Sequence, residues 1–502
     1  MRTDWIKTKS SLPHSLYPAQ QIKKFEGEAA VLAGMTLYDL MKGAGQACYQ
    51  VFKSHFPGAK KVLVLAGHGN NGGDGYIFAA MAKDAGIDVQ LCQMGEPEHL
   101  RNDAAKAKDA WQKAQGEIAT IEQADFASAD VIVDALLGTG LSGPISAEFA
   151  EIIAKINRSG KRVLSVDIPS GLHADSGAIN NVAVNADATI TFVGLKPGLF
   201  TGAAAAHCGQ LYFSGLGITE QFSALAKSAG SRVTYQDLKH LLPKRQRDSH
   251  KGHFGRALII GGNTGMPGAV RLAAESALRS GSGLVKVLTR QENQALVIAG
   301  RPELMLLGDL VKAEGRSDFG DWPTTLVIGP GLGQDEWARG LLERVISSGL
   351  PCVVDADALN LLARQPTRKD NWVLTPHPGE AAKLLASSTH NIAMDRFTAV
   401  QNLQARFGGV VILKGAGTLI CDGKQTFVAN VGNPGMASGG MGDVLSGIIG
   451  GLLAQGLNPL DAARLAVCIH GYAADLAAQQ DERGLLASDL FPYIRKLVNP
   501  SW

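Results

Sequence analysis

Two glycine-rich segments carry residue types that could bind phosphate and move a proton. GHGNNGGDG spans Gly67 to Gly75 and directly follows the apolar stretch Val62 to Ala66. NPGMASGGMGD spans Asn433 to Asp443 and directly precedes the apolar stretch Val444 to Leu453. Glycine lets backbone N–H groups approach a ligand closely, and the N-terminus of a helix favours an anion. Both segments therefore predict contact with a phosphate-containing ligand.

The first segment matches neither common phosphate-binding motif. The GxGxxG spacing with its downstream acid is not cleanly present, and no Gly-Lys-Ser/Thr follows. The segment offers free backbone N–H groups, the amides of Asn70 and Asn71, and the carboxylate of Asp74. A tight strand–helix connection is the alternative interpretation, although such a connection needs fewer glycines.

Two aspartates close apolar stretches in the same half of the chain. Asp134 ends one, and Asp167 ends the next, just before Ile168-Pro169-Ser170-Gly171. A carboxylate at a strand end can bind a cation or move a proton, and it can also be a simple cap or turn residue. With Asn71 and Ser170 these aspartates form an all-oxygen set, which suits a hard monovalent or divalent cation over zinc.

Asp443 has the most chemically suggestive position in the second half. The preceding glycines could direct several N–H donors at a transferring phosphoryl group, and the carboxylate could take the proton of an attacking hydroxyl. A glycine-rich packing element capped by Asp443 is the alternative.

Two further segments of this half offer ligand-binding groups. Lys414-Gly415-Ala416-Gly417-Thr418 supplies a positive charge, backbone donors and a hydroxyl for a nucleotide phosphate, although a plain lysine-glycine hairpin could have this sequence. His377 lies between two prolines, so we expect it to orient a ligand; a structural turn histidine is the alternative.

The elements that must position these residues are alternating strands and helices in both halves, which predict an α/β fold. In the first half we predict a helix at 75–85 and strands at 61–66, 89–93, 130–135, 162–167 and 188–193. Continuous apolar strands indicate a doubly wound, Rossmann-like parallel sheet, whose ligands lie beyond the carboxyl ends of the strands. The loops after residues 66, 134 and 167 should therefore face one crevice.

A second α/β series follows a weakly patterned stretch at 224–231. The predicted strands are 256–261, 283–288, 325–328, 351–355, 372–374 and 410–413, with a hairpin of 418–421 and 425–429 around Asp422-Gly423. We accordingly predict two domains, residues 1–229 and 230–502.

The amino-acid composition limits which classes of protein the chain can belong to. The 502 residues are 45% hydrophobic and 19% charged, typical of globular domains. A net charge of +2 gives no electrostatic preference for nucleic acid or membrane, and no apolar run is long enough to span a bilayer. Six scattered cysteines without metal-ligand spacing are typical of reduced residues, so we expect a cytoplasmic protein.

GHGNNGGDG, DALLGTGLSGP and VDIPSGL together resemble the NAD(P)HX epimerase family across the first half. The resemblance implies that the hydrated nicotinamide nucleotide contacts two loops and the carboxylate of Asp167, which would be catalytic. It also implies K+ at Asn71, Asp134 and Ser170. The implied loop contacts are Asn70, Asn71, Gly72, Gly73 and Asp74, then Gly138, Thr139, Gly140, Leu141, Ser142, Gly143 and Pro144.

GGNTGMPGA, GPGLG, DADALN, TPHPGE, KGAGT and ASGGMGD resemble, in this order, the ADP/ATP-dependent NAD(P)H-hydrate dehydratase family of ribokinase-like fold. The resemblance implies a catalytic Asp443 and nucleotide bound with Mg2+, either ADP or ATP. The implied substrate contacts are Ala269, Gly331 or Gly333, His377 and Asp443; the implied nucleotide contacts are Lys414, Gly415, Ala416, Gly417, Thr418 and Gly442.

The combination predicts one chain that interconverts the R and S epimers of NAD(P)HX and dehydrates the S epimer to NAD(P)H with nucleotide hydrolysis. Two alternatives stay open at this point: a vitamin or sugar kinase whose product keeps its phosphate, and a first half that binds without catalysis. The expected partners are NADHX, NADPHX and ADP or ATP, without nucleic acid or membrane, and we expect a homo-oligomer.

Overall fold

Each half of the chain folds around its own largely parallel sheet. The computed structural model describes residues 6–8, 11–140, 143–307, 319–479 and 481–500. The chain divides into Met1–Ser231 (unit 1) and Arg232–Trp502 (unit 2), so unit 1 ends at Ser231 where the sequence predicts residue 229. Both units are α/β, which confirms the predicted fold class. In the described part of the chain, no helix is long and apolar enough to cross a membrane.

Unit 1 contains a doubly wound sheet. The strands of this sheet are β1 (Ile6–Lys7), β3 (Lys61–Ala66), β4 (Asp88–Gln93), β5 (Ile118–Thr120), β6 (Val131–Ala135), β7 (Arg162–Val166), β8 (Ala188–Phe192) and β9 (Gln210–Ser214). Two short strands, β2 (Ser15–Leu16) and β10 (Gly230–Arg232), lie outside this sheet and pair antiparallel with each other. The helices of unit 1 are α1 (Ala19–Leu32), α2 (Leu37–His55), α3 (Asn70–Asp84), α4 (Asn102–Lys113), α5 (Ala147–Arg158), α6 (Ala204–His207) and α7 (Thr219–Leu225).

The strand order β1-β9-β8-β7-β6-β3-β4-β5 places the end of β3 beside the end of β6. All these neighbours are parallel except the antiparallel pair β1 and β9. From β3 the chain proceeds to β4 and β5 on one side and then crosses to β6 on the other. This reversal is the point at which doubly wound sheets bind their ligands.

The apolar strands of unit 1 are buried on both faces. In β3, Val62 and Val64 pack into the core that contains α2 and α3, whereas Leu63 and Leu65 pack into the core that contains α5. Because successive side chains of a strand point to opposite faces, a strand covered on both sides must be apolar throughout. The continuous apolar run therefore correctly predicts a parallel, doubly covered strand.

Unit 2 repeats the reversal with a second sheet. Its strands are β11 (Arg256–Ile260), β12 (Leu284–Leu288), β13 (Met305–Leu306), β14 (Thr325–Ile328), β15 (Cys352–Val354), β16 (Trp372–Leu374), β17 (Val410–Leu413), β18 (Thr418–Cys421) and β19 (Thr426–Ala429). Its helices are α8 (Tyr235–Leu238), α9 (Pro267–Arg279), α10 (Gln294–Ile298), α11 (Glu336–Ser348), α12 (Ala356–Arg364), α13 (Pro378–Leu384), α14 (Thr389–Met394), α15 (Arg396–Phe407), α16 (Met441–Ala454), α17 (Pro459–Ala477) and α18 (Phe491–Leu497).

Within unit 2 the strand order is β13-β12-β11-β14-β15-β16-β17-β18-β19. Strands β13, β12, β11, β14, β15, β16 and β17 are parallel to one another, whereas β18 is antiparallel to both of its neighbours, β17 and β19. The predicted hairpin around Asp422-Gly423 is confirmed, with Cys421 opposite Thr426. The chain reverses direction across the sheet between β11 and β14.

Helices α9 and α16 pack in close contact because α16 has glycines along the shared face. A Cβ on Gly447 would lie 1.9 Å from the hydroxyl oxygen of Ser276, and a Cβ on Gly451 would lie 2.1 Å from that of Ser280. No larger side chain fits at either position while the helices keep this separation. The glycines therefore fix the distance between the two helices that begin at the predicted substrate site.

Both glycine-rich segments begin their helices earlier than predicted. Helix α3 starts at Asn70 where the sequence predicts Gly75, and α16 starts at Met441 where the apolar pattern begins at Val444. Glycine lowers helix propensity by about 1 kcal/mol per residue, so three glycines in one turn look like a loop. Tertiary packing outweighs that preference: a Cβ on Gly75 would lie 2.6 Å from the Cβ of Ala135.

Candidate active sites

The backbone segments that follow the neighbouring strands β3 and β6 lie in close contact, an arrangement called here the crossing of β3 and β6. This close contact explains the glycines of GHGNNGGDG. A Cβ on Gly67 would lie 1.9 Å from the carbonyl oxygen of Leu136, while the Gly67 N–H donates to the carbonyl of Ala135 at 2.9 Å. A Cβ on Gly72 would in turn lie 1.9 Å from the carbonyl oxygen of Gly67. The backbone of the segment thus folds against itself and against the exit of β6, with no room for side chains.

Asn71 is the buried polar group of this crossing. Asn71 is 9% exposed, and neither the oxygen nor the nitrogen of its side-chain amide has a hydrogen-bond partner among the described residues. A Cβ on Gly138 would lie 3.4 Å from the amide carbon of Asn71, so the loop after β6 lies against this amide. Buried amides without partners are costly, and such a group commonly contacts a ligand or ion.

Asp134 and Ser170 are brought into direct contact. The fully buried carboxylate of Asp134 accepts from the Ser170 hydroxyl at 2.5 Å, from the Ser170 N–H at 2.9 Å and from the Ser165 hydroxyl at 2.8 Å. Burial raises the pKa of Asp134, and the hydrogen bonds from Ser170 and Ser165 offset part of that rise. The Ser170 hydroxyl also accepts from the Leu137 N–H at 2.9 Å, which ties the ends of β6 and β7 together.

Asp167 follows β7 with a left-handed backbone, at φ +65°. Its Oδ1 accepts hydrogen bonds from the Lys196 ammonium, from the Thr191 hydroxyl at 3.1 Å and from the Phe192 N–H at 3.3 Å. Lys196 itself is 1% exposed. Sequence reasoning identified Asp167 but missed Lys196; the signal was a charged residue in the Gly-Leu-Lys-Pro-Gly segment after a fourth apolar strand.

Two other carboxyl groups lie in the electrostatic field of this ion pair. Burial raises the pKa of Glu26 to about 7, and the Asp167 carboxylate adds to the rise. The pKa of Asp74 is raised well above its usual value by desolvation and then by Asp167 and Glu26. Unit 1 therefore combines a salt-bridged aspartate with two neighbouring carboxyl groups whose pKa values are raised, as in sites that pair an acid with a base.

The remaining predicted contacts of unit 1 lie at the open side of the crossing. Asn70 and Gly140 are exposed, Thr139 is half-buried, and a Cβ on Gly73 would contact the side chain of Met41 instead of a strand end. Gly143 has φ +79° and accepts from the Asn180 amide at 2.9 Å, beside the exposed Pro144. Leu141 and Ser142 lie outside the described residues.

Unit 2 has the same backbone crossing, between β11 and β14. A Cβ on Gly261 would lie 2.0 Å from the carbonyl oxygen of Pro330, and the Gly262 N–H donates to that carbonyl at 2.9 Å. Gly331, at φ +58°, lies against α9, where its Cβ would be 3.2 Å from the Cβ of Ala269. The structure thus brings together Ala269 and Gly331, two of the predicted substrate contacts.

The next loops add charged groups to this edge. Gly333, at φ +73°, donates its N–H to the Asp357 carboxylate at 2.9 Å. Asp355 is fully buried and accepts from the Lys414 ammonium at 2.9 Å and from the Ser446 hydroxyl at 2.7 Å. Burial alone would raise the pKa of Asp355, but the charge and hydrogen bond of Lys414 hold it below its usual value. Sequence reasoning noted the segment after β15 but did not select Asp355 or Ser446.

Asp443 lies in the first turn of α16, after Gly440 at φ +90°. Burial raises the pKa of Asp443 to about 7, and the Asp355 carboxylate adds to the rise while Lys414 opposes it. A Cβ on Gly442 would lie 3.3 Å from the Lys414 ammonium and 3.7 Å from Asp355. The predicted base, Gly442 and the predicted phosphate-binding lysine therefore share one location.

His377 caps α13 at the same edge of the sheet. Its Nδ1 accepts from the Gly379 N–H at 2.9 Å, and its Nε2 lies 3.4 Å from Glu380. Burial lowers the pKa of His377, and the nearby Lys414 lowers it further, so the ring is neutral near pH 7. Burial also raises the pKa of Glu380, a residue that sequence reasoning missed, to about 7.

The predicted nucleotide loop starts at Lys414 and is held from behind by Arg396. The buried Arg396 guanidinium donates to the carbonyls of Leu413 and Lys414 at 3.2 and 3.1 Å. Gly415 and Gly417 have φ +136° and +62°, and the Thr418 hydroxyl donates to the Gly415 carbonyl at 3.0 Å. Gly415 and Ala416 are exposed, so the loop presents backbone to solvent beside the Lys414 ammonium.

Both units match known families. The family described as YjeF-related protein N-terminus matches residues 37–198, and the family described as NAD(P)H-hydrate dehydratase matches residues 257–496. A crystal structure titled ADP/ATP-dependent NAD(P)H-hydrate dehydratase from Bacillus subtilis, co-crystallised with ATP/Mg2+, is 30% identical. That match covers 53% of this chain and 96% of the other, at a TM-score of 0.48.

Two full-length relatives carry the same name. The bifunctional NAD(P)H-hydrate repair enzyme Nnr of Coxiella burnetii is 46% identical over 97% of this chain and 99% of its own length. The enzyme of that name from Escherichia coli is 47% identical over 98% of this chain and 96% of its own length. Identity at this level, over both units in the same order, shows that the chain belongs to the family of bifunctional NAD(P)H-hydrate repair enzymes.

Proposed function

We propose that unit 2 dehydrates the S epimer of NAD(P)HX with ADP or ATP as phosphoryl donor. The observation that carries this assignment is Asp443, a carboxyl with a pKa near 7 at the glycine-rich start of a long helix, beside Lys414. A base works best when its pKa is near the working pH. Asp443 takes the proton of the substrate hydroxyl as the hydroxyl oxygen attacks the terminal phosphorus. Loss of phosphate, together with a ring proton, then restores the double bond of the nicotinamide.

The nucleotide is held by the loop from Lys414 to Thr418 and by Gly442. The exposed backbone of Gly415 and Ala416 and the Lys414 ammonium suit a phosphate chain. In the described residues, no group of three His, Cys, Asp or Glu side chains could hold a metal ion. Mg2+ would therefore be held mainly by the phosphates of the nucleotide and would neutralise their charge.

The substrate of unit 2 lies between α9 and α16. Ala269 and Gly331 form one wall and Asp443 another, with the neutral His377 and the N–H-bearing loop at Gly333 at the edge. Gly331 and Ala269, which lie in close contact, present only small groups to the ligand. These small groups leave room for the hydrated nicotinamide ring beside the base.

Unit 1, we propose, interconverts the R and S epimers of the same substrate. The first turn of α3, Asn70 to Asp74, would contact the nucleotide together with the loop Gly138 to Pro144, because both lie at the crossing of β3 and β6. Asp167, at the end of the neighbouring strand β7, would handle the proton at the epimeric centre. Asp74 and Glu26, whose pKa values are both raised, lie in the same electrostatic environment.

A K+ ion at Asn71, Asp134 and Ser170 completes this proposal. The buried amide oxygen of Asn71, which has no hydrogen-bond partner among the described residues, is the group that an ion would satisfy. One carboxylate among neutral oxygens is a low-charge site, which suits K+ better than Mg2+. Asp134 and Ser170 already bind each other, so they would hold the loop of β6 in the position that presents Gly138 to Asn71.

The decisive experiment is incubation of the protein with mixed NADHX epimers and ADP or ATP. Conversion of both epimers to NADH, followed by absorbance, supports both assignments. Conversion of about half supports unit 2 alone. A product whose mass retains the phosphate would identify a kinase instead.

Two further proposals concern the setting of the enzyme. All six cysteines are free and buried, which suits the reducing cytoplasm. We also propose a homo-oligomer, to be tested by light scattering during size-exclusion chromatography.

A further inference from the structure

Lys196 is a fully satisfied buried cation at the edge of the unit 1 site. It is 1% exposed and donates to the Asp167 carboxylate, to the Thr191 hydroxyl at 2.8 Å and to the Phe192 carbonyl at 3.0 Å. An ammonium has three protons, and each has an acceptor. A buried charge is costly unless its geometry is this complete. The Lys196 ammonium is therefore held in one position and cannot move to contact a ligand.

The hydrogen bonds that reach Asp167 all arrive at the same oxygen. Lys196, Thr191 and the Phe192 N–H donate to Oδ1. The other oxygen, Oδ2, receives no hydrogen bond from the described residues, and the Asp167 side chain is 15% exposed. An ionised carboxylate has acceptor capacity on both oxygens. The arrangement thus occupies Oδ1 and leaves Oδ2 available to a ligand in the crevice.

The backbone around this pair is strained on both adjacent strands. Asp167 and Val193, which follow β7 and β8, have φ of +65° and +63°. For residues other than glycine this conformation is unfavourable, and it persists only where the surroundings enforce it. A valine, branched at Cβ, is especially unfavourable here. The left-handed turn at Asp167 directs its carboxylate back toward β8, where Lys196 bonds it.

We propose that Lys196 is a positioning residue for epimerisation: it fixes Asp167 through Oδ1 so that Oδ2 is presented to the substrate as the proton acceptor. The inference rests on the proposed function of unit 1. Lys196 does not itself touch the substrate, since all its protons are used within the protein. Its contribution is the orientation of the carboxylate that does.

The test is the Lys196→Met variant of the full chain, which replaces lysine by an unbranched side chain one atom shorter and removes the ammonium. The R-to-S conversion is measured by separating the epimers chromatographically without nucleotide, so that dehydration cannot consume them. We expect kcat to fall about 100-fold, the effect of misplacing a reacting group by about 1 Å, with a smaller change in KM. Dehydration of pure S epimer by the same chain should keep its rate and so reports on folding. Lys155→Met, which removes a solvent-exposed ion pair with Glu151, is the matched control and should keep full activity.

A second variant covers the case in which Lys196→Met does not fold. Lys196→Ala leaves space for ethylammonium, which should restore epimerisation in proportion to its concentration, whereas tetramethylammonium, which has no N–H donor, should not. A full rate in Lys196→Met, or no rescue of folded Lys196→Ala, would overturn the proposal. If the wild type itself does not epimerise under these conditions, the proposed function of unit 1 is wrong, and that result is distinct from the failure of Lys196.

Discussion

The two units use the same backbone crossing but distribute charge around it differently. In unit 1, Gly67 follows β3 and lies against the carbonyl oxygen of Leu136, which follows β6. In unit 2, Gly261 follows β11 and lies against the carbonyl oxygen of Pro330, which follows β14. In unit 1 the buried lysine bonds the proposed base, Asp167. In unit 2 the partly buried Lys414 bonds a different acid, Asp355, and the proposed base, Asp443, has a pKa of about 7. The same crossing is thus combined with a lysine that bonds the proposed base in unit 1 and a different acid in unit 2.

Replacing the base of unit 2 should separate the two activities most strongly. Asp443→Asn removes the proton acceptor, and loss of a general base costs about 10²- to 10⁴-fold in rate. Dehydration of S-NADHX, followed as NADH absorbance, should fall by that factor while epimerisation without nucleotide is unchanged. Asp370→Asn is the control, because Asp370 is 81% exposed and should matter to neither activity. Near-normal NADH formation by Asp443→Asn would remove Asp443 from the mechanism.

Alanine at either crossing glycine should damage only its own unit. Gly67→Ala and Gly261→Ala each place a Cβ about 2 Å from a carbonyl oxygen, so the strand exits must separate. Overpacking of this kind costs about 1–3 kcal/mol of stability. We expect Gly67→Ala to reduce epimerisation and Gly261→Ala to reduce dehydration, with a lower melting temperature in each case.

Two matched glycines control for the loss of backbone freedom. Gly69 and Gly268 belong to the same segments as Gly67 and Gly261, and nothing lies within 4 Å of a Cβ at either position. Gly69→Ala and Gly268→Ala should therefore keep the melting temperature of the wild type. A loss equal to that of the crossing variants would mean that flexibility, and not the close approach, makes these glycines necessary.

The pH dependence of dehydration should report the unusual acidity of Asp443. Its raised pKa of about 7 means that the active, ionised form increases as the pH rises through 7 and is lost below it. The kcat/KM for S-NADHX should therefore rise with pH between about 5.5 and 7.5 and then level off. A profile that is flat down to pH 5 would show that Asp443 ionises normally when substrate is absent.

The smallest expected effect concerns the proposed ion of unit 1. Asp134→Asn removes the one carboxylate of the set and should weaken the dependence of epimerisation on K+ concentration, with little effect on dehydration of pure S epimer. The control is Asp130→Asn, an exposed residue just before the same strand. If wild type is indifferent to K+ and Asp134→Asn keeps its rate, the oxygen cluster is structural.

The sequence predicts most of the long strands, the crevice of unit 1 and most polar residues at the strand ends, because those signals are local; it does not predict the strands β5, β9 and β13. Apolar runs locate buried strands, and Asp134, Asp167 and Asp443 stand where such runs end or begin. What it does not predict depends on contacts between distant segments. Lys196 bonds Asp167 from 29 residues away, and Ser446 bonds Asp355 from 91 residues away. Neither pairing leaves a periodic pattern, and the early start of α3 is likewise set by its packing on Ala135.

The glycine face of α16 has a consequence for the width of the proposed dehydratase site. Ala269 and Asp443 stand at the first turns of α9 and α16, and Gly447 and Gly451 set the separation of those helices further along. The width of the gap proposed for the substrate, between Ala269 and Asp443, is therefore set by Gly447 and Gly451, which do not line it. A single added methyl at Gly447 would widen that gap without altering any group in the site. In the proposed site, the space for the substrate ring thus depends on a glycine about one helical turn beyond Asp443.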